Sequence, residues 1–150
     1  LEGRMGLKLN EEKTSVVKLR EKGTSFNFLG FTCRFDNDLY VEGRRYLNIV
    51  PSKKAESAYR DKIRELVNKR HCFVPMAELI QRLNRSLRGW GNYFKFGYPK
   101  KSFKKMDWFV YRRLWRHRRK LSQRHRRPRG DKSFWELFQD LELELLANMA

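Results

Sequence analysis

The stretch that decides the fold reads Tyr46-Leu47-Asn48-Ile49-Val50-Pro51-Ser52-Lys53-Lys54-Ala55-Glu56-Ser57-Ala58-Tyr59, because the apolar period changes inside it. Up to Val50 the apolar residues form a short β-type run. From Ser52 onward they recur every 3.6 residues, the spacing of a helix with one buried face. Pro51 should end the strand, since proline has no N–H to give a sheet ladder. Ser52 is a plausible N-cap, and Ala55, Tyr59, Ile63, Leu66 and Val67 then line up as one apolar stripe with Lys and Arg between them. A β-rich opening third followed by a helical remainder predicts an α+β chain.

Upstream, Phe26, Phe28, Phe31, Phe35, Leu39, Tyr40 and Val41 form two aromatic and β-branched runs around Asp36-Asn37-Asp38. That arrangement predicts an antiparallel hairpin with its tight connection at the D-N-D sequence. Downstream, the first helix should run to about Arg70, and Pro75 suits the first position of a second. The second helix has the stripe Met76, Leu79, Ile80, Leu83, Leu87, Trp90 and Phe94, with Gln81, Arg82, Arg85, Arg88 and Asn92 on its other face. Phe96-Gly97-Tyr98-Pro99 breaks the pattern. A third helix starts near Lys101 with the stripe Phe103, Met106, Val110, Leu114 and Leu121, a second face of Trp108, Tyr111 and Trp115, and a crowd of Arg112, Arg113, Arg116, Arg118 and Arg119. Arg127-Pro128-Arg129-Gly130 should stop it. Ser133-Phe134-Trp135-Glu136 has the S-x-x-E form of a capping box and opens an acidic amphipathic stretch, for which a helix and a disordered tail both stay open. Three segments result: a β region over 1–50, a three-helix bundle over 51–127, and an acidic helix or tail over 128–150.

Charge divides the chain more sharply than hydropathy. The 150 residues hold 35 Lys or Arg against 17 Asp or Glu, and residues 101–130 alone hold 13 basic groups against the single Asp107. Beyond that the sign reverses, with Lys132 facing Asp131, Glu136, Asp140, Glu142 and Glu144. So dense a cationic run repels itself unless a polyanion neutralises it, which points to nucleic acid. Arginine gives bidentate contacts to phosphate, and neighbouring aromatics stack on unpaired bases that a duplex does not present. Structured or single-stranded RNA is therefore the expected partner. By helical spacing, Trp90, Trp108 and Trp115 are assigned to the core in preference to stacking platforms.

Several other classes find no support. No apolar run reaches the roughly 18 to 20 residues of a membrane span, and no secretory signal opens the chain, so a cytoplasmic location without membrane contact is expected. Cys33 and Cys72 stand apart with no CxxC, and His71, His117 and His125 show no metal-ligand spacing. No phosphate-binding G-x-x-x-x-G-K-[ST] loop and no paired carboxylates stand out, which leaves no catalytic residue to name. Asp36 and Asp38 belong to a turn on this account, with no metal role.

Three blocks, in order, carry a resemblance: Gly6-Leu7-Lys8-Leu9-Asn10-Glu11-Glu12-Lys13-Thr14, then Phe28-Leu29-Gly30-Phe31, then Asn84-Arg85-Ser86-Leu87-Arg88-Gly89-Trp90-Gly91-Asn92-Tyr93-Phe94. Together they resemble the closing blocks of a group II intron-encoded reverse transcriptase, or maturase. The third block is the most specific, since the first two also look like retron and diversity-generating reverse transcriptases. The resemblance implies that residues 1–50 end the polymerase palm, with Phe28, Leu29 and Gly30 in the primer grip. It implies that the helices are the thumb, or domain X, which clamps template–primer duplex and binds intron RNA. Arg82, Arg85, Arg88 and Asn92 on the second helix, and Arg112, Arg113, Arg116 and Arg119 on the third, are then the candidate RNA contacts. Gly30 has a plain structural alternative as a bulge or close strand contact, and Asn84 and Trp90 as helix-bridging and core residues.

The family's polymerase centre needs a Tyr-x-Asp-Asp block and an upstream aspartate to hold two magnesium ions, and neither is in this sequence. The resemblance therefore places magnesium and DNA synthesis in a longer parent protein, with the present chain expected to be inactive alone and to bind no cofactor. Expected partners are RNA and the remainder of that reverse transcriptase. Two other assignments stay open: a stand-alone basic RNA-binding or assembly protein, and the thumb of a retron or diversity-generating enzyme with no part in splicing.

Overall fold

A computed structural model describes residues 17–19, 21, 23–38, 40–121 and 133–149. The Gly6–Thr14 block, His125, Leu39 and the Arg127–Gly130 stop signal lie outside them. The described chain is α+β. Its sheet has three antiparallel strands, β1 (Ser25–Phe28), β2 (Phe31–Asn37) and β3 (Arg45–Pro51), in the order β1-β2-β3.

The tight turn of this sheet falls at Leu29-Gly30, not at Asp36-Asn37-Asp38. Phe28 pairs with Phe31, and both central residues have positive φ, 47° at Leu29 and 82° at Gly30. That is the type I′ geometry whose twist suits a two-residue hairpin, and glycine takes it without strain. The unfavourable backbone of Leu29 is held by an accepted hydrogen bond, 2.8 Å from the Tyr93 hydroxyl to the Leu29 carbonyl. Asp36 and Asn37 lie inside β2, opposite Tyr46 and Arg45. The Asp36 carboxylate is used within the sheet, accepting from Arg34 Nε at 3.1 Å and from Asn48 Nδ2 at 2.5 Å, so it is not free to shape a turn. Tyr40 and Val41, read as strand residues from the sequence, stand exposed in the connection between β2 and β3.

Helix α1 (Lys53–Leu66) starts where the period changes. Ser52 Oγ accepts from the Ala55 amide at 3.1 Å, while the Ser52 amide donates to the Gly30 carbonyl at 2.8 Å, so the cap also fixes the helix against the hairpin turn. The helix ends at Leu66, four residues short of the expected Arg70. Asn68 caps a separate 3₁₀ turn over Lys69–His71, and the freed carbonyls of Val67 and Arg64 accept from the Arg113 guanidinium at 3.0 and 3.5 Å. A cation at the carbonyl end of a helix answers both the orphan acceptors and the negative end of the dipole. Helix α2 spans Met76–Phe94, with Pro75 in the N-cap position just outside it; α3 spans Lys100–Lys120.

The acidic C-terminal stretch is ordered. Ser133 and Glu136 form the reciprocal capping box, opening α4 (Phe134–Asp140), and a 3₁₀ turn over Leu146–Met149 follows. Phe138, Leu143 and Leu146 enter the same core as Ile63 of α1, Leu79, Ile80, Leu83 and Leu87 of α2, and Phe103, Met106, Val110 and Leu114 of α3. Polar side chains fix the docking. Asn84 Nδ2 donates to the Glu142 carbonyl at 2.7 Å and its Oδ1 accepts from the Glu144 amide at 3.1 Å. Buried Asp107 accepts from the amides of Leu146 and Ala147 at 2.8 and 2.9 Å. Gly91 leaves the space: a Cβ there would lie 2.6 Å from Met149 Sδ and 2.9 Å from Leu146 Cδ2.

Candidate nucleic-acid interface

Helix α3 is two-sided because of its sequence period. Phe103, Met106, Val110 and Leu114 face the core, whereas Lys105, Trp108, Arg112, Arg116 and Arg119 recur at i, i+3, i+7, i+11 and i+14 and are exposed. Among the described residues no salt bridge joins Arg112, Arg116 or Arg119 to a carboxylate. Their positive charge stays open to solvent. Arg119 lies over the Trp115 ring at 4.6 Å, a contact that orders the guanidinium without neutralising it.

Trp108 departs from its sequence assignment, being 60% exposed rather than in the core. It stacks on Tyr111 with ring centroids 5.6 Å apart and planes 19° from parallel, and Trp135 of α4 meets Tyr111 edge-on at 5.4 Å. Period alone cannot separate this face from the core face, since both present large apolar side chains at helical spacing. The flanking Lys105 and Arg112 are the signal that could have found it. Trp90 does join the core, stacked on Tyr59 at 4.8 Å, and Trp115 is half-buried.

Two clefts of about 310 and 320 Å³ flank this helix. One brings Arg60 of α1 together with Lys105, Trp108, Arg112 and Arg116. The other lies between the end of α1 and the second half of α3, and holds Arg64, Lys69, Arg113, Arg116, His117 and Lys120. Arg113 differs from its neighbours by pointing inward to the end of α1. Burial first, then the charges of Arg64 and Arg116, lower its pKa from the ordinary arginine value.

Helix α2 contributes to neither cleft. Its Arg82 is paired with Glu78 at 2.6 Å one turn earlier, and Arg88 is paired with Glu144. Arg85 and Asn92 are exposed. The structure therefore gathers Arg112, Arg113 and Arg116 around one region and leaves the α2 candidates elsewhere, two of them already holding carboxylates. Phe28 and Leu29 project from the hairpin turn, 62% and 68% exposed, while Gly30 sits against Phe94 and Phe31 packs on Tyr93 and Phe94.

Among the described residues no group of three or more His, Cys, Asp or Glu is positioned to hold a metal ion. No described helix is long and apolar enough to cross a membrane.

A family model described as "Group II intron, maturase-specific domain" matches residues 57–137, more than half of the chain. The match begins inside α1, takes in α2 and α3 whole and ends inside α4, so every arginine named above on α2 and α3 falls within it. Phe28, Leu29 and Gly30 fall outside. No curated protein matches the chain.

Proposed function

The chain belongs to the family of group II intron maturase-specific domains, and from that premise we propose that it is the RNA-gripping thumb of an intron-encoded reverse transcriptase. Its ligand is folded intron RNA during splicing and template–primer duplex during DNA synthesis. The observation that carries this is the exposed α3 stripe of Lys105, Arg112, Arg116 and Arg119, lined up along one helix with Trp108 among them and without carboxylate partners among the described residues. Such a row neutralises successive phosphates and so positions RNA without reading its sequence. Trp108, backed by Tyr111, offers a flat apolar surface to an unpaired base. Phe28 and Leu29, displayed on a rigid two-residue turn that Tyr93 and Ser52 tie to the helices, suit the primer grip.

The matched segment favours the maturase over retron and diversity-generating enzymes, with which the chain shares its more general motifs. DNA synthesis and its magnesium belong to the rest of the parent enzyme, because the Tyr-x-Asp-Asp block is not in this sequence. The test is photocrosslinking of the purified chain to group II intron RNA with mapping of the attached residues. Adducts should concentrate on α3 between Lys105 and Arg119. Adducts confined to other elements would overturn the assignment.

A further inference from the structure

The cleft between the end of α1 and the second half of α3 has a composition that the exposed stripe does not explain. Arg64, Lys69, Arg113, Arg116, His117 and Lys120 all line it, and among the described residues no carboxylate does. Two of its lining residues, Arg113 and His117, one helical turn apart on α3, each hold a buried nitrogen, Nε and Nε2, without a hydrogen-bond partner among the described residues. His117 is only 7% exposed. A buried polar atom left unsatisfied is costly, and two of them on residues that line a ring of cations point to a ligand whose acceptor oxygens meet them once those side chains turn toward the cleft. The Val67 and Arg64 carbonyls hold one terminal nitrogen of the Arg113 guanidinium, which leaves its other N–H groups for a ligand.

We propose that this cleft is a subsite for a single phosphate group, and, resting on the RNA-binding function above, that the group is a backbone phosphodiester of the bound RNA. Arg113 and His117 bring the two buried nitrogens. Lys69, Arg116 and Lys120 supply the rim, while Arg64 shares its charge with Asp61 and lies over Phe109. A phosphate fits where a carboxylate or a base does not, because it offers several acceptor oxygens to donors converging from three elements. Among the described residues the titratable groups around His117 are cationic or neutral: Arg64 from α1, Lys69, His71 and Cys72 from the 3₁₀ turn and its cap, and Arg113, Arg116 and Lys120 from α3. Burial, then Arg113 and His71, hold its imidazole below the ordinary histidine pKa. An anion in the cleft removes that penalty and brings the imidazole back toward charge.

The experiment is ¹⁵N imidazole NMR of the full chain, titrated separately with inorganic phosphate, with a 5′-hydroxyl RNA oligonucleotide and with its 5′-phosphorylated form. RNA affinity is followed in parallel by fluorescence anisotropy. The His117 signal should move saturably with inorganic phosphate and with the 5′-hydroxyl RNA, and its pKa should rise in both. Lys120→Gln, an exposed change that leaves the core intact, should weaken phosphate binding by about two- to fivefold. His117→Gln should weaken it further and remove its pH dependence. If RNA binds but no phosphate source moves the His117 signal, the subsite is refuted while the RNA-binding function stands. If only inorganic phosphate and the 5′-phosphorylated RNA move it, the cleft takes a terminal phosphate and the backbone assignment fails. Movement with inorganic phosphate when neither RNA binds would refute the RNA-binding function and leave a phosphate site.

Discussion

Arg88 closes on Glu144, 56 residues away in sequence, with its Nε 2.7 and 2.8 Å from the two carboxylate oxygens and a second contact from its terminal amino group. Hydrogen bonding to Glu144, then its charge, raises the arginine's pKa. One of the basic residues in the most family-specific motif thus faces the protein's own acidic C-terminal segment. Glu144→Gln should free it. Binding of RNA at low salt should then tighten, and the dependence of log affinity on log salt should steepen by about 0.9, the contribution of one added phosphate. An unchanged slope would mean that Arg88 lies away from the RNA.

The two glycines of the Arg88-Gly89-Trp90-Gly91 sequence make a matched pair. Gly89 is exposed, and a Cβ added to it would meet nothing within 4 Å, whereas Gly91 faces Met149 and Leu146. Gly89→Ala should stabilise the fold by about 0.5–1 kcal/mol through helix propensity. Gly91→Ala gains the same propensity but must push aside the Met149 and Leu146 side chains, the latter fully buried, and should cost about 1–3 kcal/mol net, the usual range for overpacking. Denaturant unfolding of the two variants checks both signs. Equal effects would mean that the C-terminal turn does not dock there.

Asp107 gives a pH signature. Burial raises its carboxyl pKa, and the amides of Ala147 and Leu146 only partly oppose the shift. The folded state therefore holds this proton more tightly than the unfolded chain, so the proton's contribution to stability is full at low pH and is lost as pH rises through the folded pKa. Asp107→Ala should remove that contribution from the stability–pH curve. It should also destabilise the protein at neutral pH by about 1–3 kcal/mol for each amide left without an acceptor. A variant as stable as the parent would show that the C-terminal turn is not held through these two bonds.

Trp108 separates stacking from simple charge attraction. Trp108→Ala should reduce affinity for single-stranded or loop RNA by about 1–3 kcal/mol and leave affinity for a perfect duplex nearly unchanged, since only unpaired bases offer a free face. Equal losses on both RNAs would assign Trp108 to packing against Tyr111.

What is legible in the sequence is local. Pro51 and Ser52 mark the junction between strand and helix because each acts within one turn of itself, and the Ser133–Glu136 capping box does so for the same reason. The α2 and α3 stripes are legible because helical burial repeats. The hairpin turn is not, because Asp36-Asn37-Asp38 has turn chemistry, whereas Leu29 takes a positive φ supported by Tyr93, a residue 64 positions away. The same kind of distant support hides the ordered C-terminus, which Asn84 and Asp107 hold from two other helices. At the candidate interface, helical spacing alone puts Arg112, Arg116 and Arg119 in one exposed row. Spacing does not reveal Arg113 as the donor that ends α1, because only the packing of α3 against α1 creates that acceptor pair.

The central claim is that the α3 stripe neutralises RNA phosphates, and a salt titration of intron RNA affinity tests it most directly. The parent chain should lose about 10³- to 10⁵-fold in affinity between 50 and 200 mM salt if it engages about 6 to 10 phosphates. Charge reversal at Arg112, Arg116 and Arg119 should flatten that slope and weaken every RNA tested to the same degree. An affinity that barely changes across this range, or a slope untouched by the triple reversal, would contradict the account.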